Sequence, residues 1–131
     1  MAGILIVAEL DQGQLRPETW ELAGLARTLS PLVPGAVRLA LLGPALETAS
    51  EQASRLGAQE LHLLGDERLS QPWPELHSEA VMQLCRRLEP EIALLPRTAL
   101  GSEVATRVAL RLGCALVQDA IHVELGPEGL T

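Results

Sequence analysis

The sequence predicts an α/β protein: a single domain with a doubly wound, mainly parallel sheet of five or slightly more strands and helices on both faces. Three observations carry this. Short aliphatic runs recur along the chain, continuous rather than alternating, as strands buried on both faces require. Between successive runs lies one stretch with the apolar spacing of a helical face. Gly and Pro separate the two kinds of segment. Strands joined by single helices need right-handed crossovers, and these build a parallel sheet covered on both sides. Periodicity says nothing about the order of the strands.

Residues 4–8 (ILIVA) read as the first strand, and Asp11-Gln12-Gly13 supplies turn chemistry after it. Pro17 suits the first turn of a helix, where its missing N–H costs nothing. Leu22, Leu25, Ala26 and Leu29 then fall on one helical face, and Pro31 and Pro34 end it. Residues 36–42 are the second strand. Gly43-Pro44 opens a second helix with Leu46, Ala49, Ala53 and Leu56 inward and Gly57 as its carboxyl-terminal cap. Residues 60–64 are the third strand, followed by a polar loop over 65–74. The third helix runs from about Glu75, with Ala80, Val81, Leu84 and Leu88 inward. Arg86 and Arg87 near its end suit the negative pole of the dipole, and Pro90 stops it. Residues 92–95 are the fourth strand. A loop through Pro96-Arg97-Thr98 and Gly101 leads to a fourth helix, with Val104, Ala105, Val108, Ala109 and Leu112 inward. Glu103 and Arg107 pair on its outer side, and Gly113 caps it. Residues 115–117 read as a fifth strand and 121–125 as an alternating edge strand. The α/β domain therefore covers 1–125, and 126–131 reads as a linker.

Composition removes several function classes. A net charge of −7 is the wrong sign for a nucleic-acid surface, which needs clustered Lys and Arg. No apolar run approaches the ~20 residues of a membrane helix. Met1 leads almost directly into the first strand, without a basic or amphipathic leader, so the chain reads as cytoplasmic or already trimmed. Cys85 and Cys114 lie far apart among aliphatic residues and read as buried thiols. His62, His77 and His122 share no spacing and read as surface or boundary residues rather than metal ligands or bases.

In an open parallel sheet, ligands bind outside the carboxyl ends of the strands, where the strand order reverses. Those ends carry Glu9 and Asp11, Gly43, Gly65 and Asp66, and residues 97–102. The crevice candidates are Glu9, Thr98, Gly101 and Ser102. Gly101-Ser102 could offer N–H groups and a hydroxyl to a phosphate, although such a pair is more often a turn and a helix cap. Neither GxGxxG nor GxxxxGK[ST] occurs. Glu9, Asp11, Asp66 and Thr98 suggest a phospho-acceptor receiver, but Gln118-Asp119 stands where such a site needs a lysine. The chain has no Phe and no Tyr, so it offers little for a flavin or base to stack on. Trp20 and Trp73 read as structural plugs. No catalytic residue is nominated.

Three stretches together resemble the alpha subunit of electron-transfer flavoproteins: residues 4–27 (ILIVAELDQGQLRPETWELAGLAR), 53–64 (ASRLGAQELHLL) and 89–120 (EPEIALLPRTALGSEVATRVALRLGCALVQDA). The last is the most specific, with its strand, Thr-x-x-Gly, helix, Arg-Leu-Gly, strand and Asp in order. Ser102-Glu103 stands where the family often has Arg-Asp, and Thr106 where it often has proline. The resemblance implies the amino-terminal domain, with an adenine-nucleotide-hydrolase-like fold and a beta-subunit partner of similar fold. It further implies FAD on a carboxyl-terminal domain, so none on this chain, and AMP or a second FAD on the beta subunit. The domain would be a scaffold in electron transfer from acyl-CoA-type dehydrogenases of fatty acid β-oxidation to a quinone reductase or similar acceptor. Its partner surface is expected at the carboxyl-end side of the sheet. A competing reading is a nucleotide-binding module of the universal-stress-protein type, which needs a richer glycine segment than Gly101 alone. A small α/β enzyme is a third, and it lacks a nucleophile–base pair.

Overall fold

The computed structural model describes residues 3–113, 125–126 and 129–130. The chain opens with β1 (Ile4–Val7), whose four residues are all buried. A small hairpin follows, β2 (Leu10–Asp11) against β3 (Gln14–Leu15). Its two-residue loop has Gln12 at φ 51° and Gly13 at φ 79°. Two positive φ values are the mark of the turn that matches strand twist, and Gly is what lets the second residue adopt one. The sequence reading placed a turn here and missed the hairpin. Next come α1 (Glu18–Leu29), β4 (Val37–Gly43) and α2 (Glu47–Ala53). Then follow β5 (Glu60–Gly65), α3 (Pro74–Leu88), β6 (Ile92–Leu94) and α4 (Ala99–Leu112). Beyond them, β7 (Leu125–Gly126) pairs antiparallel with β8 (Gly129–Leu130).

The main sheet has the order β5-β4-β1-β6, and every pairing in it is parallel. The expected strand at 115–117, most of the one at 121–125, Cys114, His122 and Gln118-Asp119 lie outside the described residues. Because successive strand residues point to opposite faces, the core splits in two. Ile4, Ile6, Leu39 and Leu41 meet Ala23, Ala26 and Leu29 of α1 and Ala49 and Ala53 of α2. Leu5, Val7, Ala40 and Leu42 meet Val81, Met82 and Leu84 of α3 and Val104 and Val108 of α4. Helices therefore cover both faces, and the predicted doubly wound class is observed.

Several details differ from the expectations. The buried line of α1 is Thr19, Ala23, Ala26 and Leu29, while Leu22 and Leu25 are only half-buried. Alanines sit inward because the strands already supply the bulk on that face. The loop over 65–74 contains a short 3-10 turn, Glu67–Ser70, capped by Asp66, whose side chain accepts from the Arg68 N–H. The tryptophans are not plugs: Trp20 is 46% exposed on α1, and Trp73 is 56% exposed just before α3. Leu61 and Leu63 are also exposed, on β5 at an edge of the described sheet. Other expectations hold. Gly113 ends α4 in the left-handed region, Arg107 reaches Glu103 at 3.4 Å, and Cys85 is a buried thiol without a disulfide.

Candidate functional site

The chain leaves β1 toward β4, yet arrives at β6 on the opposite side of β1. The segments after β1 and β6 thus lead to opposite faces, α1 on one and α4 on the other. That divergence opens a crevice at the strand ends, the place where ligands of this architecture bind.

Glu9 stands at the end of β1. Its Oε1 accepts a 2.6 Å hydrogen bond from Thr98 Oγ1, a residue 89 positions away that follows β6. Its Oε2 lies 3.2 Å from Arg16 Nε. The hairpin makes the second contact possible, since it folds the chain back until the Arg16 N–H donates to the Glu9 carbonyl at 3.0 Å. Arg16 also reaches Glu18 at 3.4 Å. That hydrogen bond first, and the Glu9 and Asp11 charges after it, hold the guanidinium above its ordinary pKa. Glu18 is in turn held below the usual carboxylate range, by its own backbone N–H first and by Arg16 second.

Thr98 is the N-cap of α4, and its Oγ1 accepts from the Gly101 N–H at 3.0 Å. This corrects the sequence reading, in which Gly101 and Ser102 opened the helix. A hydroxyl at 98 satisfies the first-turn donor three residues on, so the helix begins at Ala99. Gly101 then sits inside the first turn against the Pro96 carbonyl, where any Cβ would collide with backbone. Ser102 lies one residue further along the helix, away from the crevice lining, and its carbonyl accepts from Thr106.

The crevice encloses about 480 Å³. Its floor is aliphatic: Val7, Leu42, Val81, Leu95 and Val104. Its rim is polar, with Glu9, Asp11, Arg16, Gln71 and His77. His77 Nε2 lies 3.1 Å from the Gln71 carbonyl, tying the 3-10 loop to α3. The structure brings Glu9, Asp11, Gly43 and Gly101 together around this space, with Thr98 behind Glu9. It leaves Asp66, Gly65 and Ser102 out of the lining. Arg16 and His77 were missed by sequence reasoning. The signal for Arg16 was the Gln12-Gly13 pair between Leu10-Asp11 and Gln14-Leu15, a two-residue hairpin pattern that returns residue 16 to residue 9. Among the described residues no group of His, Cys, Asp and Glu is placed to hold a metal ion. No helix among them is long and apolar enough to cross a membrane.

Fold and crevice define a doubly wound α/β domain with a small carboxyl-end cavity and a carboxylate clamp. Residues 4–131 match the electron transfer flavoprotein domain family, and the chain belongs to it. It is 30% identical over 129 residues to the protein FixB of Bradyrhizobium diazoefficiens, covering 96% of this chain and 35% of that one. It is 29% identical over 127 residues to the electron transfer flavoprotein subunit alpha of Thermoanaerobacterium thermosaccharolyticum, covering 97% and 38%. The LctC subunit of the lactate dehydrogenase (NAD(+),ferredoxin) of Acetobacterium woodii is 24% identical over 123 residues, covering 94% and 29%. The chain thus spans between 29% and 38% of the length of these relatives, and it is an alpha-type domain of the family.

The crevice does not fit FAD. A dinucleotide needs free backbone donors for its pyrophosphate and a long groove for its two ring systems. Here the Gly101 N–H is taken by Thr98, the Glu9 carboxylate stands beside it, and neither tryptophan lines the space.

Proposed function

We propose that this chain is the scaffold domain of an electron-transfer flavoprotein alpha subunit. It pairs with a beta subunit and supports an FAD-bearing part of the alpha subunit, while AMP or a second FAD belongs to the beta subunit. The assembly carries electrons from dehydrogenases, among them those of fatty acid β-oxidation, to a membrane quinone reductase or similar acceptor, in the bacterial cytoplasm. Residues 1–125 form the α/β unit, and 126–131 lead toward the flavin domain. In this role the domain is an electron-carrier part and performs no catalysis of its own.

One observation carries the reading: residues 4–131 match the family, and the relatives similar to them include an electron transfer flavoprotein subunit alpha. The misfit of the crevice to FAD agrees with it. Co-expression of the chain with a beta-type subunit tests it, followed by size-exclusion chromatography and flavin absorbance. Co-elution of the two chains, with the alpha-type chain colourless when purified alone, is the expected result. A chain that ignores the beta subunit, or that carries stoichiometric flavin by itself, overturns the scaffold role. A rise in melting temperature with AMP or ATP favours the universal-stress-protein reading instead.

A further inference from the structure

The scaffold role as proposed does not call on the Glu9 carboxylate, and the inference drawn from it does not depend on that role. Glu9 is only 13% exposed, and its oxygens are held by a hydroxyl on one side and a guanidinium on the other. Burying a carboxylate this far is unfavourable without such partners. A plain structural tie between β1 and α4 could be made by a neutral side chain. What a carboxylate adds is a negative charge, placed against the N-cap of α4.

That location matters because the amino end of a helix is its positive pole and otherwise favours an external anion. Here the chain supplies the anion itself. Thr98 already accepts the Gly101 N–H, and Glu9 accepts from Thr98, so the pole is answered from within the molecule. Asp11 adds a second negative charge to the rim. The cation there, Arg16, is committed to Glu9 and Glu18. A phosphorylated ligand would therefore bring its charge against two carboxylates.

The rest of the crevice is inviting. About 480 Å³ lies within the usual range of small-molecule sites, and its floor is aliphatic. Ionised carboxylates only accept hydrogen bonds, so a ligand there must donate them. We propose that the crevice binds an uncharged ligand of about nucleoside size that carries N–H donors. Glu9, as a resident anion at the start of α4, excludes its phosphorylated counterparts.

Adenosine and AMP form a matched pair of probes, differing in the phosphate alone. Isothermal titration of the full chain with each is expected to show adenosine binding about tenfold or more tighter at low salt. That ratio shrinks as salt rises from about 10 mM to about 0.5 M, because screening weakens the repulsion. Glu9→Gln keeps an oxygen for Thr98 and removes the charge, and it is expected to bring AMP within about threefold of adenosine. Absence of adenosine binding overturns the ligand class. Equal binding of the two probes by the unaltered chain, or a ratio unmoved by E9Q, overturns the role of Glu9. Should E9Q fail to fold, the salt series on the unaltered chain decides the matter. Failure of the scaffold reading would appear in the subunit-pairing experiment and not here.

Discussion

The two faces of the sheet solve the same packing problem in opposite ways. On the α1/α2 face the strands provide most of the bulk, with Ile4, Ile6, Leu39 and Leu41, and the helices answer with Ala23, Ala26, Ala49 and Ala53, and with Leu29 at the end of α1. On the α3/α4 face the helices provide more of it, with Val81, Met82, Leu84, Leu88, Val104 and Val108 against Leu5, Val7, Ala40 and Leu42. Interiors pack at near-crystal density, so bulk removed from one partner must be returned by the other. Small helix residues let the backbones approach closely, which is how a helix as short as α2 can be held at all. Longer helices with branched side chains, 15 residues in α3 and 14 in α4, stand around the strand ends and leave the crevice between them. The α1/α2 face has its own cavity of about 380 Å³, but at the amino ends of the strands, near Val37 and Gln59. The difference teaches that the carboxyl-end crevice opens beside the helices that carry more of the packing volume.

Truncation should hurt both faces most. Leu39→Ala and Met82→Ala each empty a position that is 1% exposed or less, and each should lower stability by about 2–5 kcal/mol in urea unfolding. Added bulk should then separate the faces. Ala49→Leu pushes into the close α2 contact and should cost about 1–3 kcal/mol, whereas Met82→Leu conserves volume and should cost less than about 1.5 kcal/mol. A chain that tolerates A49L as well as M82L would break the comparison. Next in size, Thr98→Val removes the cap of α4 together with the partner of Glu9, and a loss of about 0.5–2 kcal/mol should show in thermal melting. As a control, Leu110→Ala on the exposed side of the same helix should stay within about 0.5 kcal/mol.

The smallest effect is that of pH. Asp66 is held down to about 2 by the hydrogen bond from the Arg68 side chain first, and then by the Arg68 backbone N–H. Glu60 is held below the usual carboxylate range by Arg38 first, at 3.1 Å, and by His62 second, at 3.0 Å. Both folded values are depressed, so the stabilisation is complete above the unfolded carboxylate value near 4 and is lost as pH falls below it, for Asp66 toward about 2. Both groups are well exposed, and solvent keeps the effect slight. Melting temperatures should be flat from neutral to weakly acid pH and decline below about 4. Arg68→Gln should flatten part of that decline, and an unchanged slope in the variant would remove Asp66 from the account.

Much of this could be read from residues in order. The aliphatic runs of β1, β4 and β6 were legible because strands buried on both faces leave no polar interruption. The caps at Gly113 and Thr98-x-x-Gly101 lie within one turn of what they cap, although the second starts the helix at Ala99, ahead of the expected start at Gly101. The inner line of α1 was not legible. Leucines and alanines alternate around that helix, and only the bulk already present on β1 and β4 turns the alanines inward. Trp20 and Trp73 show the same limit, since composition suggested plugs and the packed sheet left them outside. Of the candidate site, Glu9 and Gly101 followed from the strand-end rule. Ser102 lies outside the crevice lining because the helix starts earlier than expected. Arg16 was hidden by a hairpin that depends on the positive φ of two turn residues.

The sequence by itself determined the alternation of strands and helices, and with it the doubly wound class. Those signals are local, a period of two or of about three and a half residues read within a single segment. Only the tertiary structure decided the order β5-β4-β1-β6, that β5 is an edge with exposed leucines, and that Glu9 meets Thr98 across 89 residues. Strand order is a choice among many pairings that look alike locally. It is settled by which arrangement buries both faces at once, and the crevice exists only after that choice is made.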